Sequence, residues 1–143
     1  MLLRPSCRHV PCMRLDASCV LPYKVCMHEM ALAENIWQIV RETMVAHGMR
    51  VVCCVRVRVG ALSHVVPDAL RLGFGALAQD TPWPAARLEV LVEPVLLACG
   101  DCGRPFQPAN PRDLCAPCPW CGCVAGHGLE RGEELTVVDL EAE

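Results

Sequence analysis

The spacing of apolar residues predicts two amphipathic helices in the chain. From Met27 onward, apolar side chains recur at three- and four-residue steps, which is the pattern of a helix with one buried face. These positions are Leu32, Ile36, Ile39, Val40 and Met44. His47-Gly48 ends this helix, because glycine readily takes the left-handed conformation that follows a last turn. A second helix begins at Val66-Pro67-Asp68, where proline suits the first turn. Its predicted buried stripe consists of Val66, Leu70, Phe74 and Leu77.

Alternating patterns predict three strands. From Val51 to Val59, the valines at 55, 57 and 59 share one face and two arginines share the other, as in a half-buried strand. Leu88 to Leu97 and Glu134 to Leu140 are the other two candidates. We therefore expect an α+β fold in which two helices cover one face of a small sheet formed by residues 50–60, 86–97 and 134–141.

Two single residues are assigned to the core from the same pattern. Cys53 has the parity of the inward valines and is predicted to be a small core residue. Trp37 is expected to pack beside the apolar stripe of the first helix. Cys53 and Cys54 point to opposite faces of a strand, so they do not easily chelate one ion together.

Two segments differ from this regular pattern. Residues 98–127 are rich in Cys, Pro and Gly, and a strand on either side indicates an insertion. Residues 1–26 have no periodicity and are interpreted as an unstructured extension or a mis-assigned start. Four cysteines of unknown role lie there: Cys7, Cys12, Cys19 and Cys26. The expected division is thus one α+β domain, residues 27–97 and 128–143, with an inserted domain at 98–127.

Composition narrows the class of protein. The net charge is −3 and the arginines are dispersed, whereas nucleic-acid binders usually carry a clustered basic surface. The sequence shows no secretory signal and no apolar run of about 18 residues, so we expect a cytoplasmic protein without a membrane span. In that compartment twelve cysteines indicate metal ligands or redox groups rather than disulfides.

A duplicated cysteine motif predicts a zinc ribbon. Cys99 and Cys102, and then Cys118 and Cys121, form two C-x2-C pairs, each followed by glycine, with 15 residues between them. This spacing is typical of zinc, and four thiolates make a closed, structural site. A rubredoxin-like iron site, disulfides and redox thiols remain alternatives. Cys115 also forms a C-x2-C pair with Cys118, and Cys123 lies nearby, so the roles of both stay open.

Three histidines, His47, His64 and His127, give little indication of function. His47 at a helix C-terminus is favourable for the helix dipole. His64 precedes the second helix and His127 follows the cysteine motifs; each is read as a surface residue, with a secondary metal contact as the alternative.

From Met27 to the end, the sequence resembles the HypA/HybF family of nickel metallochaperones for hydrogenase maturation. The resemblance rests on MHEMALA at Met27–Ala33, VRVGALS at Val57–Ser63, PDALRLGF at Pro67–Phe74, the paired cysteine motifs and the closing segment Gly132–Glu143. It covers residues 27–143 without a large gap, and the motifs together are far more specific than any one of them.

The resemblance implies that nickel binds at the Met27 end. In the family a start methionine is followed at once by His and Glu. Here Ni(II) would take nitrogen donors from the Met27 α-amine, from backbone amides near His28 and Glu29, and from the His28 imidazole, a set that suits square-planar nickel. Met27 is internal in this sequence, so either translation begins there or nickel binding is altered. We favour the first.

The implied function is delivery of Ni(II) during maturation of [NiFe] hydrogenase, with urease as a further recipient in some relatives. A HypB-type GTPase and the hydrogenase large-subunit precursor are the implied partners, without nucleic acid or membrane, and the chain is expected to be a monomer or weak homodimer. No catalytic motif is present, so no enzyme activity is expected. The alternatives are a zinc-ribbon module that binds protein or nucleic acid, and a thiol redox protein.

Overall fold

The computed structural model describes residues 13–14 and 29–143. Two helices and seven strands are described among these residues. They are β1 (Met13–Arg14), α1 (Glu29–His47), β2 (Val52–Gly60), α2 (Pro67–Ala78), β3 (Arg87–Glu93), β4 (Leu96–Ala98), β5 (Pro105–Phe106), β6 (Gly128–Arg131) and β7 (Leu135–Ala142). Neither helix is long and apolar enough, within these residues, to cross a membrane.

The first sheet has the strand order β1-β7-β2-β3. β2 is antiparallel to β7 and parallel to β3, and α2 supplies the crossover that a parallel pair requires. Both helices pack on one face of this sheet and enclose a mainly aliphatic core. Trp37 is fully buried there, stacks on Phe74 at 4.4 Å between ring centroids, and donates its indole N–H to the Phe74 carbonyl at 3.1 Å. The predicted α+β class is confirmed.

The predicted stripe of α2 is wrong at one position. Leu70 and Phe74 are buried and Leu77 is partly buried, whereas 54% of Val66 is exposed. Val66 precedes the first helical residue and has extended backbone angles (φ −88°, ψ 110°). The helical period therefore does not apply to it, and its side chain leaves the buried face.

The prediction that Cys53 is the buried cysteine of β2 is also wrong. Cys54 is buried and Cys53 is only half-buried. The pairing of β2 with β7 moves from Val52 opposite Ala142 to Cys54 opposite Glu141, so Cys53 is the extra residue of a β-bulge. A bulge reverses the side-chain alternation on either side of it, which allows both Val52 and Val55 to be buried.

The predicted strand from Leu88 to Leu97 is two strands in two sheets. β3 ends at Glu93 and β4 begins at Leu96. Pro94 lies between them and has no N–H to continue a ladder. β4 is the centre of a second sheet, with the order β5-β4-β6. β6 lies within residues 128–143, which were expected to belong to the α+β domain, but it pairs with β4 rather than with the first sheet.

Two glycines join the two sheets. Gly60 ends β2 beside Gly132, which lies between β6 and β7. A Cβ atom on Gly60 would lie 2.1 Å from the Gly132 carbonyl oxygen. The same oxygen accepts a hydrogen bond from the Leu62 amide at 2.7 Å, and Gly132 has a φ of 139°. Only glycine fits this approach of two backbones.

Within the segment 1–26, the structure describes β1 alone, which pairs antiparallel with β7 through Met13–Leu140 and Arg14–Asp139. The rest of that segment, with its four cysteines, lies outside the described residues. Its interpretation as an extension therefore stays a prediction.

Candidate metal centre

The two cysteine motifs fold into the same local structure. In the first, the Gly103 amide donates to the Cys99 carbonyl at 3.0 Å; in the second, the Gly122 amide donates to the Cys118 carbonyl at 2.9 Å. Both glycines have positive φ, 72° and 78°, which explains why glycine follows each C-x2-C pair.

Backbone amides in each motif point to a sulfur. The Asp101 amide lies 3.4 Å from the Cys99 Sγ, and the Trp120 amide lies 3.4 Å from the Cys118 Sγ. Amide donors stabilise thiolates and orient them toward a cation. Each copy of the motif thus provides a backbone amide that stabilises the sulfur of its first cysteine.

The four predicted sulfurs converge on one point. The Sγ atoms of Cys99, Cys102, Cys118 and Cys121 all lie within 4.8 Å of one another. Cys99 and Cys121 are 3.5 Å apart, and Cys102 and Cys118 are 3.7 Å apart. A tetrahedron with Zn–S bonds of about 2.3 Å has S···S edges of about 3.8 Å. The geometry therefore fits one tetrahedral ion held by four thiolates.

The thiols ionise very unequally without a cation. The backbone amide of Cys102 is the main cause that lowers the pKa of Cys99 to about 6. The Cys123 amide lowers the pKa of Cys121, but the Cys99 thiol, burial and the other two thiols outweigh it and raise that pKa to about 12. Four thiolates at these distances repel one another, so the full set requires a positive ion between them.

His127, predicted from the sequence to be a surface residue, is instead half-buried and uses both ring nitrogens in hydrogen bonds. Its Nδ1 accepts from the Gly100 amide at 3.3 Å, its Nε2 lies 3.0 Å from the Ala116 carbonyl oxygen, and its ring meets Phe106 edge-on at 5.0 Å. Because a carbonyl only accepts, Nε2 carries the proton. The two nitrogens thus link the first motif to the loop before the second. His127 is not part of the cluster of four cysteines that could hold a metal ion.

The two other cysteines of the second sheet lie outside the cluster of four. Cys115 is exposed, and its amide donates to the Asp113 carboxylate. The Cys123 thiol lies 3.2 Å from the Ala125 carbonyl, and its own carbonyl accepts from the Cys118 amide. Cys123 thereby helps to close the second motif through its backbone.

The predicted nickel end is described only from Glu29 onward. Met27 and His28 lie outside the described residues, so no geometry is assigned to them. Glu29 begins α1, and its Oε1 atom accepts a hydrogen bond from the Val66 amide at 3.3 Å. This contact attaches the start of α1 to the loop between β2 and α2, where His64 is exposed with a φ of 59°. His47 lies at the opposite end of α1.

Comparison with known proteins decides the family. Residues 27–142 match the family model described as "Hydrogenase/urease nickel incorporation, metallochaperone, hypA". The chain belongs to the HypA family. This confirms the resemblance drawn from the sequence, and it makes the chain a member of a family of maturation factors rather than of enzymes.

Curated relatives named hydrogenase maturation factor HypA match along nearly their whole length. The protein of Solidesulfovibrio magneticus is 40% identical over 117 residues, which are 82% of this chain and 100% of the relative. The protein of Rhodopseudomonas palustris is 40% identical over 119 residues, with the same coverage. That of Chloroflexus aurantiacus is 37% identical over 115 residues, 80% of this chain and 98% of the relative.

Solved HypA structures share the fold. The solution structure of the Ni metallochaperone HypA from Helicobacter pylori superposes with a TM-score of 0.59 at 22% identity and covers 81% of this chain and 97% of its own. Another solution structure, of HypA protein, has a TM-score of 0.64 at 21% identity, over 83% and 98% of the two chains.

Proposed function

We propose that this protein carries Ni(II) for the maturation of [NiFe] hydrogenase, with urease as a second recipient, and holds one structural Zn(II). The observation that carries the zinc assignment is the tetrahedral spacing of four sulfurs. The domain division goes with it: a nickel-binding α+β domain, residues 27–97 and 128–143, and a zinc-ribbon domain at 98–127. The pairing of β4 with β6 favours moving these boundaries outward, toward Pro94 and Gly132.

Four thiolates leave zinc no open coordination position, so zinc in this site would stabilise the fold and would not bind a substrate. Cys99, Cys102, Cys118 and Cys121 would hold it, and the amides of Asp101 and Trp120 support the two buried sulfurs. A second hydrophobic cluster, separate from the core of the first sheet, has six buried residues, of which two are ligand cysteines: Val95, Leu97, Cys99, Phe106, Ala116 and Cys118. A core this small does not hold a segment of this length without a crosslink or metal.

We propose that nickel binds at the start of α1, through the Met27 amine, the His28 imidazole and nearby backbone nitrogens. Helix geometry supports this placement, because the first amides of a helix have no intrahelical acceptor. The Glu29 carboxylate already accepts from Val66. In this proposal the Glu29 carboxylate fixes the start of α1 against the loop, and the Glu29 backbone nitrogen would be one of the nickel donors.

The proposal requires a free amine at Met27, and the family match that begins at residue 27 supports it. We further propose that the protein is cytoplasmic, that a HypB-type GTPase is its partner, and that the hydrogenase large-subunit precursor is the recipient of the nickel. It would act without nucleic acid, membrane or catalysis of its own.

Calorimetric titration of the protein that begins at Met27 tests the nickel site. His28→Ala should lose at least about tenfold in nickel affinity, as expected when a ligand is removed, and keep its zinc. His47→Ala, at the other end of α1, is the matched control and should bind both metals as before. Unchanged nickel affinity in His28→Ala would refute the site.

The position of the true start is tested separately. A chain that begins at Met1 replaces the Met27 amine with a peptide bond, so it should bind nickel more weakly than the chain that begins at Met27. Mass spectrometry of the native N-terminus should find Met27. A native chain that starts at Met1 and binds nickel equally well would remove the amine from the proposal.

A further inference from the structure

β1 pairs with β7 at the edge of the first sheet, on the side of β7 that does not face β2. Its two residues run antiparallel to β7, with Met13 opposite Leu140 and Arg14 opposite Asp139. The family match begins at residue 27, so β1 lies outside it. Without the first 26 residues, β7 would be the last described strand on this side of the sheet.

The backbone shows which groups of β7 such an open edge would present. Glu143, next to the end of β7, exchanges two hydrogen bonds with Val51: its amide donates at 2.8 Å and its carbonyl accepts at 3.0 Å. The polar groups of Glu143 therefore lie on the β2 side. Because backbone direction alternates along a strand, those of Glu141 face β2 and those of Leu140 face β1. An edge with free backbone groups accepts another strand.

Leu140 determines which type of residue suits the position opposite it. It is 4% exposed and belongs to the core cluster that the two helices form with the first sheet. Residues directly opposite each other in an antiparallel pair lie on the same face of the sheet. The position opposite Leu140 is therefore on the face that the helices cover, where an apolar residue is favoured.

Asp139 favours a basic residue opposite it, although it is already paired within the chain. The Arg56 guanidinium binds Asp139 at 3.0 Å and also binds Glu141. It binds Glu89 on β3 at 2.7 Å as well. Arg56 is the main cause that lowers the pKa of Glu89, and Arg87 adds to it. Among the described residues, the two carboxylates of β7 thus share one positive charge with a third carboxylate, and a cation opposite Asp139 reduces the excess of negative charge.

We infer that β1 covers the β7 edge from within the same chain, and that a chain beginning at Met27 leaves this edge open to an extended segment of the same chemistry. β1 meets both requirements, since Met13 lies opposite Leu140 and Arg14 lies opposite Asp139. A shift by one residue would place Arg14 opposite Leu140, on the face that the helices cover. The position of the start thus decides whether the first sheet is covered or open at β7.

The covalent connection makes this short pairing effective. Two paired residues provide few hydrogen bonds, each of small net value in water. A segment tethered to its site has an effective concentration of about 1 mM, so it stays in place at protein concentrations where a separate segment does not bind. β1 is therefore a replaceable cover rather than a fixed part of the core.

Amide exchange at Leu140, measured by NMR on the zinc-loaded, reduced protein, tests the inference. The chain that begins at Met1 should exchange about tenfold more slowly there than the chain that begins at Met27, as for a cover in place about nine-tenths of the time. The Glu141 amide, which faces β2, is the internal control and should exchange alike in both. The shorter chain contains the whole segment that matches the family, residues 27–142.

Two variants of the chain that begins at Met1 separate strand pairing from a general effect of the first 26 residues. Arg14→Glu should remove most of the difference at Leu140, because it sets like charges opposite one another. Arg8→Glu makes the same change outside β1 and should keep the slow exchange. Equal exchange of Leu140 in the two chain lengths, or equal effects of the two variants, would overturn the inference.

A separate peptide tests whether the open edge accepts the same segment. A peptide of residues 8–18 carrying Cys12→Ser, added at about 1 mM, should shift the Leu140 amide resonance of the chain that begins at Met27. It should leave the chain that begins at Met1 unchanged, and equal shifts in both chains would contradict a covered edge. Slow exchange that appears only at high protein concentration would assign the edge to another molecule and overturn the inference too. Neither measurement involves nickel, so failure here leaves the nickel proposal untouched.

Discussion

His127 joins the first cysteine motif to the loop before the second motif by hydrogen bonds. A metal ion bound to the four cysteines would join the two motifs through sulfur. One ring nitrogen accepts from Gly100 in the first cysteine motif, and the other donates to the Ala116 carbonyl before the second. Its ring also packs on Phe106. The imidazole therefore helps to hold the two C-x2-C pairs at a fixed spacing, although it is not one of the four clustered side chains that could hold a metal ion.

His127→Ala should lower zinc affinity about tenfold, because two hydrogen bonds of roughly 0.5–1.5 kcal/mol each are lost. Competition with a chromogenic zinc chelator measures this. His47→Ala serves as the control, since His47 is exposed at the end of α1. Equal zinc affinity in both variants would show that His127 does not stabilise the site.

At the scale of elements, the contact of Gly60 with Gly132 positions the second sheet on the first. The Gly60 amide also donates to the Glu134 carbonyl at 2.7 Å. β2, the end of β6 and the start of β7 thus meet through backbone atoms. A side chain at Gly60 would force these elements apart.

Gly60→Ala should lower the free energy of unfolding by about 2–4 kcal/mol, the range for overpacking that moves backbone. Gly75→Ala is the matched control, because a Cβ there meets no atom within 4 Å. In the middle of α2 that change should instead stabilise by about 0.5–1 kcal/mol. Urea denaturation of both variants measures the difference; similar values would contradict the close packing at Gly60.

Periodicity predicted most elements, because burial on one face of a helix or strand leaves a direct trace in the sequence. α1, β2, α2 and β7 lie within a few residues of their predicted bounds. The errors come from features without such a trace. The bulge at Cys53 and the break after Pro94 depend on pairing with distant strands, and the Glu29–Val66 contact is a side chain bound to a backbone amide.

The cysteine cluster was predictable for a different reason. Two copies of the C-x2-C-Gly motif at a metal-binding spacing encode their ligands directly, and the four predicted sulfurs lie within 4.8 Å of one another. His127 could not be found this way, because its partners are the amide of Gly100 and the carbonyl of Ala116, groups that every residue carries.

For the whole molecule, the two hydrophobic clusters predict unequal dependence on metal. The first cluster contains twenty buried residues from both helices and the first sheet, and the second contains six. Removing zinc with a chelator should abolish amide protection in residues 95–131 and preserve it in α1 and β2. Hydrogen exchange with mass spectrometry reads both regions at once. Loss of protection throughout, or nowhere, would contradict separate stabilisation.

The most direct test of two metals at two sites is X-ray absorption at both metal edges. The sample is the chain that begins at Met27, loaded with one zinc and one nickel. The zinc edge should show four sulfurs at about 2.3 Å. The nickel edge should show a planar set of nitrogen donors without sulfur. Nickel surrounded by sulfur would place it in the cysteine cluster and contradict a separate site at the Met27 end.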